Sequence, residues 1–109
     1  MKFLVVMESV PGQPTMSPEQ TLTLTKAMWA WSKRMTQSRK ADVAYALADH
    51  AGGLMGGCGI MNVDSLEELA ENLATCPGAG IATFKVYPLV APGVAEKLVE
   101  GALAALPKK

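Results

Sequence analysis

The stretch Gly57–Leu73, GCGIMNVDSLEELAENL, reads as a strand that runs into a capped helix. A short apolar run ends at Asn62-Val63-Asp64. Ser65 then offers a hydroxyl to the first helical turn, and Glu68 stands three residues on, the spacing of a capping box. Leu66, Leu69, Leu73 and Cys76 recur on one face, with Ala70 at its edge, so the helix has one side to bury. Glu67, Glu68 and Glu71 sit in the early turns, where the helix dipole favours them. Pro77-Gly78 ends the element.

Working outward, Lys2–Glu8 is a strand with Phe3, Val5 and Met7 on one face and Leu4 and Val6 on the other. Both faces are apolar at its middle, so both must be covered. Pro11-Gly12 and Pro14 place a loop over Ser9–Met16. Ser17-Pro18-Glu19-Gln20 carries a cap, a proline at the first helical position and a capping-box partner. Leu24, Met28, Trp31 and Met35 then share one helical face. Trp29 falls on nearly the opposite side, as a snorkelling surface ring or a subunit contact. Asp42–His50 alternates Val43, Tyr45, Leu47 and Asp49 against Ala44, Ala46, Ala48 and His50. The glycine pairs at 52–53 and 56–57 read as a hairpin connection, since no phosphate-binding pattern accompanies them. Ile81–Leu89 is a fourth strand, with Ala82, Phe84 and Val86 on one face and Ile81, Thr83, Lys85, Tyr87 and Leu89 on the other. Ala91–Leu106 is a final helix with two apolar stripes, Val94/Leu98/Ala102 and Val99/Leu103/Leu106.

The order βαββαβ plus a C-terminal helix is the ferredoxin-like plan: an α+β domain over 1–109 with a four-stranded antiparallel sheet. Right-handed crossovers put the first and third strands in the centre. The helices then cover Phe3, Val5, Met7, Ala82, Phe84 and Val86. The opposite sheet face holds Leu4, Val6, Tyr45, Leu47, Ile60, Thr83 and Tyr87 and is too apolar to stay wet. Burying one leucine or valine is worth roughly 1.5–3 kcal/mol, so this face calls for a partner. The simplest partner is a second copy, sheet against sheet across a two-fold axis. The space between two such sheets is a natural small-molecule pocket.

Composition narrows the classes. Ten basic and ten acidic side chains cancel in 109 residues, so the chain lacks the basic excess of a nucleic-acid binder. Cys58 and Cys76 are not spaced as metal ligands, and with one histidine a Cys/His zinc site is not expected. Both cysteines read as small buried hydrophobes. No apolar stretch approaches the ~18 residues of a membrane span, and the N-terminus lacks a signal-peptide pattern. The expectation is a cytoplasmic protein without metal or cofactor.

Three segments carry a family likeness: Met1–Met7, Met61-Asn62-Val63-Asp64-Ser65 with its leucine-bearing helix, and Phe84-Lys85-Val86-Tyr87-Pro88-Leu89. Together they span roughly half the chain. The sequence resembles the dimeric α+β barrel superfamily, and within it the muconolactone isomerase-like branch. The resemblance implies a homodimer or larger homo-oligomer and cofactor-independent isomerase chemistry on a small organic acid or lactone. It does not extend to catalytic residues. Gly78-Ala79-Gly80-Ile81 stands where muconolactone isomerases carry a bulky Leu-Phe-Pro-Tyr segment. The second strand lacks their tryptophan and arginine, and Lys85 replaces an acidic residue of their last strand. The C-terminal helix is also longer than their typical tail.

Isomerising an unsaturated lactone needs a base to take a proton and a donor to return one. Glu8, Lys85 and His50 are the candidate catalytic residues. Glu8 closes a central strand after two apolar residues, and Lys85 suits an anionic substrate carboxylate or a plain ion pair with Glu8 or Asp49. His50 follows the strand register onto the alanine face. Val6, Tyr45, Leu47, Asp49, Ile60, Thr83 and Tyr87 are the candidate ligand-contacting residues for a small apolar or aromatic-derived molecule. Two alternatives share the fold: a binding or assembly protein without chemistry, and a cofactor-free monooxygenase.

Overall fold

Alternating apolar residues and two well-capped helices produce the expected order. The computed structural model describes residues 1–9, 16–48 and 54–107. Its elements are β1 (Lys2–Ser9), α1 (Pro18–Gln37), β2 (Ala41–Ala48), β3 (Leu54–Asn62), α2 (Leu66–Ala74), β4 (Ala82–Leu89) and α3 (Pro92–Ala104). The four strands form one sheet in the order β2-β3-β1-β4, and each neighbouring pair is antiparallel. β1 and β3 are central, as the crossover rule requires. β3 starts three residues earlier than its apolar pattern suggests, because Gly56 still pairs with Glu8.

Both helix starts use the side chains their sequences provide. The Gln20 amide donates to Ser17 Oγ at 3.1 Å, and the Ser17 amide donates to Gln20 Oε1 at 2.9 Å. At α2 the Glu68 amide donates to Ser65 Oγ at 3.1 Å. The Glu68 carboxylate reaches one residue further than a standard box, accepting from the Asp64 amide at 2.9 Å. α1 closes in a Schellman motif: the Lys40 amide donates to the Met35 carbonyl and the Arg39 amide to the Thr36 carbonyl. Arg39 therefore takes a left-handed φ of 62°, which costs an L-residue roughly 1–2 kcal/mol. Arg39→Gly is expected to raise stability by about 0.5–1 kcal/mol, read as a higher denaturant midpoint with an unchanged slope.

The core lies on the helix-covered face, towards the N-terminal end of β1. Phe3, Val5, Ala41, Met61, Val63 and Leu69 are buried, and Met35, Leu73 and Phe84 pack against them. Trp31 Nε1 donates to Thr75 Oγ1 at 2.8 Å and so ties α1 to the end of α2. Two sequence expectations need correction. Leu66 is 61% exposed, because the first helical position projects off the end of the stripe that Leu69 and Leu73 continue. Val86 lies on the helix side of β4 yet remains 37% exposed, so the two helices do not reach across the outer strand. Among the described residues no helix is long and apolar enough to cross a membrane.

Candidate functional site

The strand register lays out the face that α1 and α2 leave open. Three rows run across the sheet in the order β2-β3-β1-β4. The first is Leu47, Gly56, Glu8 and Thr83; the second is Tyr45, Cys58, Val6 and Lys85; the third is Val43, Ile60, Leu4 and Tyr87. Neighbours within a row stand about 4.8 Å apart and successive rows about 6.7 Å apart. Of the candidate residues, Glu8, Val6, Tyr45, Leu47, Ile60, Thr83, Lys85 and Tyr87 therefore share one surface. Asp49 and His50 lie outside the described residues.

Glu8 and Lys85 sit diagonally across the central β1–β4 pair. Lys85 Nζ is 3.6 Å from Glu8 Oε2, with side-chain exposures of 54% and 43%. An ion pair this exposed contributes little to stability. Its interest is its position beside the apolar middle of the face; a second ion pair, Lys2–Asp42, lies at the opposite end of the same face. Tyr87, half exposed, follows Lys85 by one row. Val6, Leu47, Cys58 and Ile60 are half-buried, whereas Tyr45 is largely open. Such a surface can hold a flat apolar molecule and meet one of its polar groups with a carboxylate, an ammonium group or a phenol.

Cys58 is the residue that sequence reasoning misplaced. It is a half-buried free thiol in the middle of the open face, not a core hydrophobe. The signal was present: it lies two residues before Ile60 on the same strand, hence on the same face. Cys76 does fit the core reading. It is buried on the helix side, its Sγ donates to Met7 Sδ at 3.8 Å, and burial pushes its thiol above the ordinary range, with a weaker opposing pull from a Gly78 backbone hydrogen bond.

Among the described residues, two cavities lie on the helix side. One of about 60 Å³ sits between α1 and the sheet, lined by Val5, Met28, Met35, Leu73 and Cys76 among others. A wider cleft of about 350 Å³ opens beside the N-terminal half of α1, where Leu22 and Trp29 face Ala46 and Ile81. Trp29 is 53% exposed at its rim. The open face is a surface in one chain and becomes a chamber only when something is laid over it.

Comparison with known proteins agrees with this fold. The solved structure of 5-chloro-2-hydroxyhydroquinone dehydrochlorinase (TftG) from Burkholderia phenoliruptrix AC1100, in complex with 2,5-dihydroxybenzoquinone, is similar with a TM-score of 0.66 at 20% identity. The match covers 86% of this chain and 98% of that one. Muconolactone isomerase is similar with a TM-score of 0.67, also at 20% identity, over 84% of this chain and 92% of that one. At such identities the likeness is one of fold. No curated protein matches by sequence. The YCII-related domain matches residues 1–91, which takes in every strand and the first two helices. The chain therefore belongs to the YCII-related domain family and has the ferredoxin-like fold of the dimeric α+β barrel superfamily.

Proposed function

We propose that this protein is a cofactor-independent proton-transfer catalyst, an isomerase in the broad sense, acting on a small organic acid or lactone between the open faces of two copies. The observation that carries the reading is the Glu8–Lys85 pair, a carboxylate and an ammonium group 3.6 Å apart beside the apolar middle of the open sheet face. A second sheet laid over that face excludes water around the pair, and a low-dielectric setting strengthens what the two charges do to a bound substrate. Glu8 takes a proton from a carbon beside a carbonyl group. Lys85 neutralises the substrate carboxylate or the developing enolate oxygen. The protonated Glu8 then returns the proton at the other end of the allylic system, so no electron acceptor is consumed. The two fold neighbours support this class of chemistry. Isomerisation and loss of HCl both depend on moving protons, and neither is a net oxidation. His50 remains the candidate second acid, with Asp49 beside it, and a cytoplasmic setting suits a small-molecule enzyme of this kind.

Glu8→Gln is expected to lower kcat by about 10²–10⁴-fold, the usual worth of a positioned general base. Lys85→Met is expected to act mainly on KM for anionic substrates. Both are read from the rate at which muconolactone and related unsaturated lactones isomerise, and from deuterium uptake by their acidic carbons in heavy water. Full activity in both variants would overturn the choice of residues. Binding without isomerisation or exchange by the wild-type protein would favour the second reading, a carrier of the same fold. The observation behind that reading is that Glu8 and Lys85 already satisfy each other.

A further inference from the structure

We infer that α3 is an exchange arm, whose apolar side docks on a second copy of this chain and closes the Leu89 end of the chamber between the two sheets. The inference rests on the stacked-sheet reading above. Its starting point is that α3 lies outside the matched domain: the match to the YCII-related domain covers residues 1–91, and the helix begins at Pro92.

The helix is two-sided, and its apolar side is left exposed by the described residues of its own chain. Val94, Leu98, Val99, Leu103 and Leu106 are all 48–66% exposed. At 100° per residue Val94, Leu98, Val99 and Leu103 fall within one half of the helix, with Leu106 just past its end, while Glu96, Lys97 and Glu100 gather on the other half. None of its residues is buried. The molecule measures 64 × 31 × 23 Å with a radius of gyration of 17.8 Å, against about 13 Å for a compact chain of this length. An amphipathic helix held clear of its own core has its apolar half turned towards something else.

Three observations identify that something as a second copy. First, the apolar surface is continuous. Tyr87 and Leu89 belong to the open face of β4, Val90 is exposed, and the α3 stripe follows directly. A copy stacked on the open face is therefore already beside the root of the arm. Second, the arithmetic fits. Five exposed aliphatic side chains at roughly 100 Å² each give ~500 Å² per arm, and two reciprocal arms give ~1,000 Å², the size at which specific interfaces begin. Third, the polar side of the helix carries two glutamates and one lysine. A helix that lies on an anionic membrane surface carries an excess of lysine and arginine there. Two-fold symmetry makes the exchange mutual, so each chamber is incomplete at the Leu89 end without the other chain's helix.

The test uses the full-length protein. A benzoylphenylalanine photocrosslinker at Leu98 is expected to give a covalent dimer, and the same group at Lys97 on the polar side to give little. The double variant Leu98→Glu/Leu103→Glu is expected to weaken the dimer by about 30-fold or more in sedimentation, with helical content unchanged. If the wild-type protein is a dimer but position 98 crosslinks only within its own chain and the double variant dimerises normally, the arm is wrong and the stacked sheets stand. If the wild-type protein is a monomer at micromolar concentration, both fall. Protection of α3 amides from hydrogen exchange only when phosphatidylglycerol vesicles are added would assign the helix to a membrane and overturn the inference.

Discussion

Gly56→Ala is expected to destabilise the protein by about 4 kcal/mol or more, enough to leave most of the chain unfolded or insoluble at ordinary expression temperature. A domain of this length has only roughly 5–15 kcal/mol in total. The cause is steric and local. A Cβ at Gly56 would lie 2.0 Å from the Met7 carbonyl oxygen and 3.1 Å from the carbonyl carbon. Those are backbone atoms of the central strand, so no rotamer change relieves the clash. The β1–β3 ladder must open where Glu8 faces Gly56. Neighbouring glycines supply the controls. Gly59→Ala meets the Val43 carbonyl at 2.8 Å and should cost less. Gly57→Ala comes no closer than 3.4 Å to the Tyr45 carbonyl and should be tolerated. Denaturant midpoints in the order Gly57→Ala, Gly59→Ala, Gly56→Ala, highest first, would bear out the account. A Gly56→Ala protein as stable as the parent would show that β3 does not lie this close to β1.

That ranking was not legible in the sequence, and the reason is instructive. Gly52-Gly53 and Gly56-Gly57 look alike as a glycine-rich turn. Only the register shows that the second pair lies inside β3, where the missing side chain lets three strands approach. The fold itself was legible because it rests on local rules. Period-two alternation marks each strand, and Ser17/Gln20 and Ser65/Glu68 fix the helix starts through hydrogen bonds the residues make with their own neighbours. The open face followed from alternation, and so did its membership from Leu4 to Tyr87. The sequence offered Lys85 either Glu8 or Asp49 as an ion-pair partner; that Glu8 is within reach follows from strand order and register together, which set Val6 opposite Lys85. Cys58 was missed because its residue type suggested a core place while its position in the alternation gave the open face. For α3 the pattern revealed an apolar side but not its partner, because helical periodicity says what a helix buries and nothing about which chain supplies the cover.

Ile60→Lys is expected to convert a dimer of this protein into a monomer that keeps its fold. Ile60 is half-buried at the centre of the open face, with Val43 and Leu4 opposite it on the flanking strands. In an isolated chain the new ammonium group would extend into water past its aliphatic stem, and the change would cost little. Under a second sheet it would be buried without a free partner, since the acidic groups on the described face, Asp42 and Glu8, are already engaged by Lys2 and Lys85. Two-fold symmetry places the charge in the interface twice. An uncompensated buried charge costs several kcal/mol, so the dissociation constant is expected to rise by at least ~10³-fold. Sedimentation at micromolar concentration, with circular dichroism to check the fold, reads both halves of the expectation. Glu71→Lys on the exposed side of α2 is the matching control and should leave assembly unchanged. A variant that stays dimeric with parental affinity would mean that the open face is not the interface. The chamber around Glu8 and Lys85 would then have no roof, and their chemistry would have to be sought on a wet surface, where a carboxylate and an ammonium group 3.6 Å apart do little beyond neutralising each other.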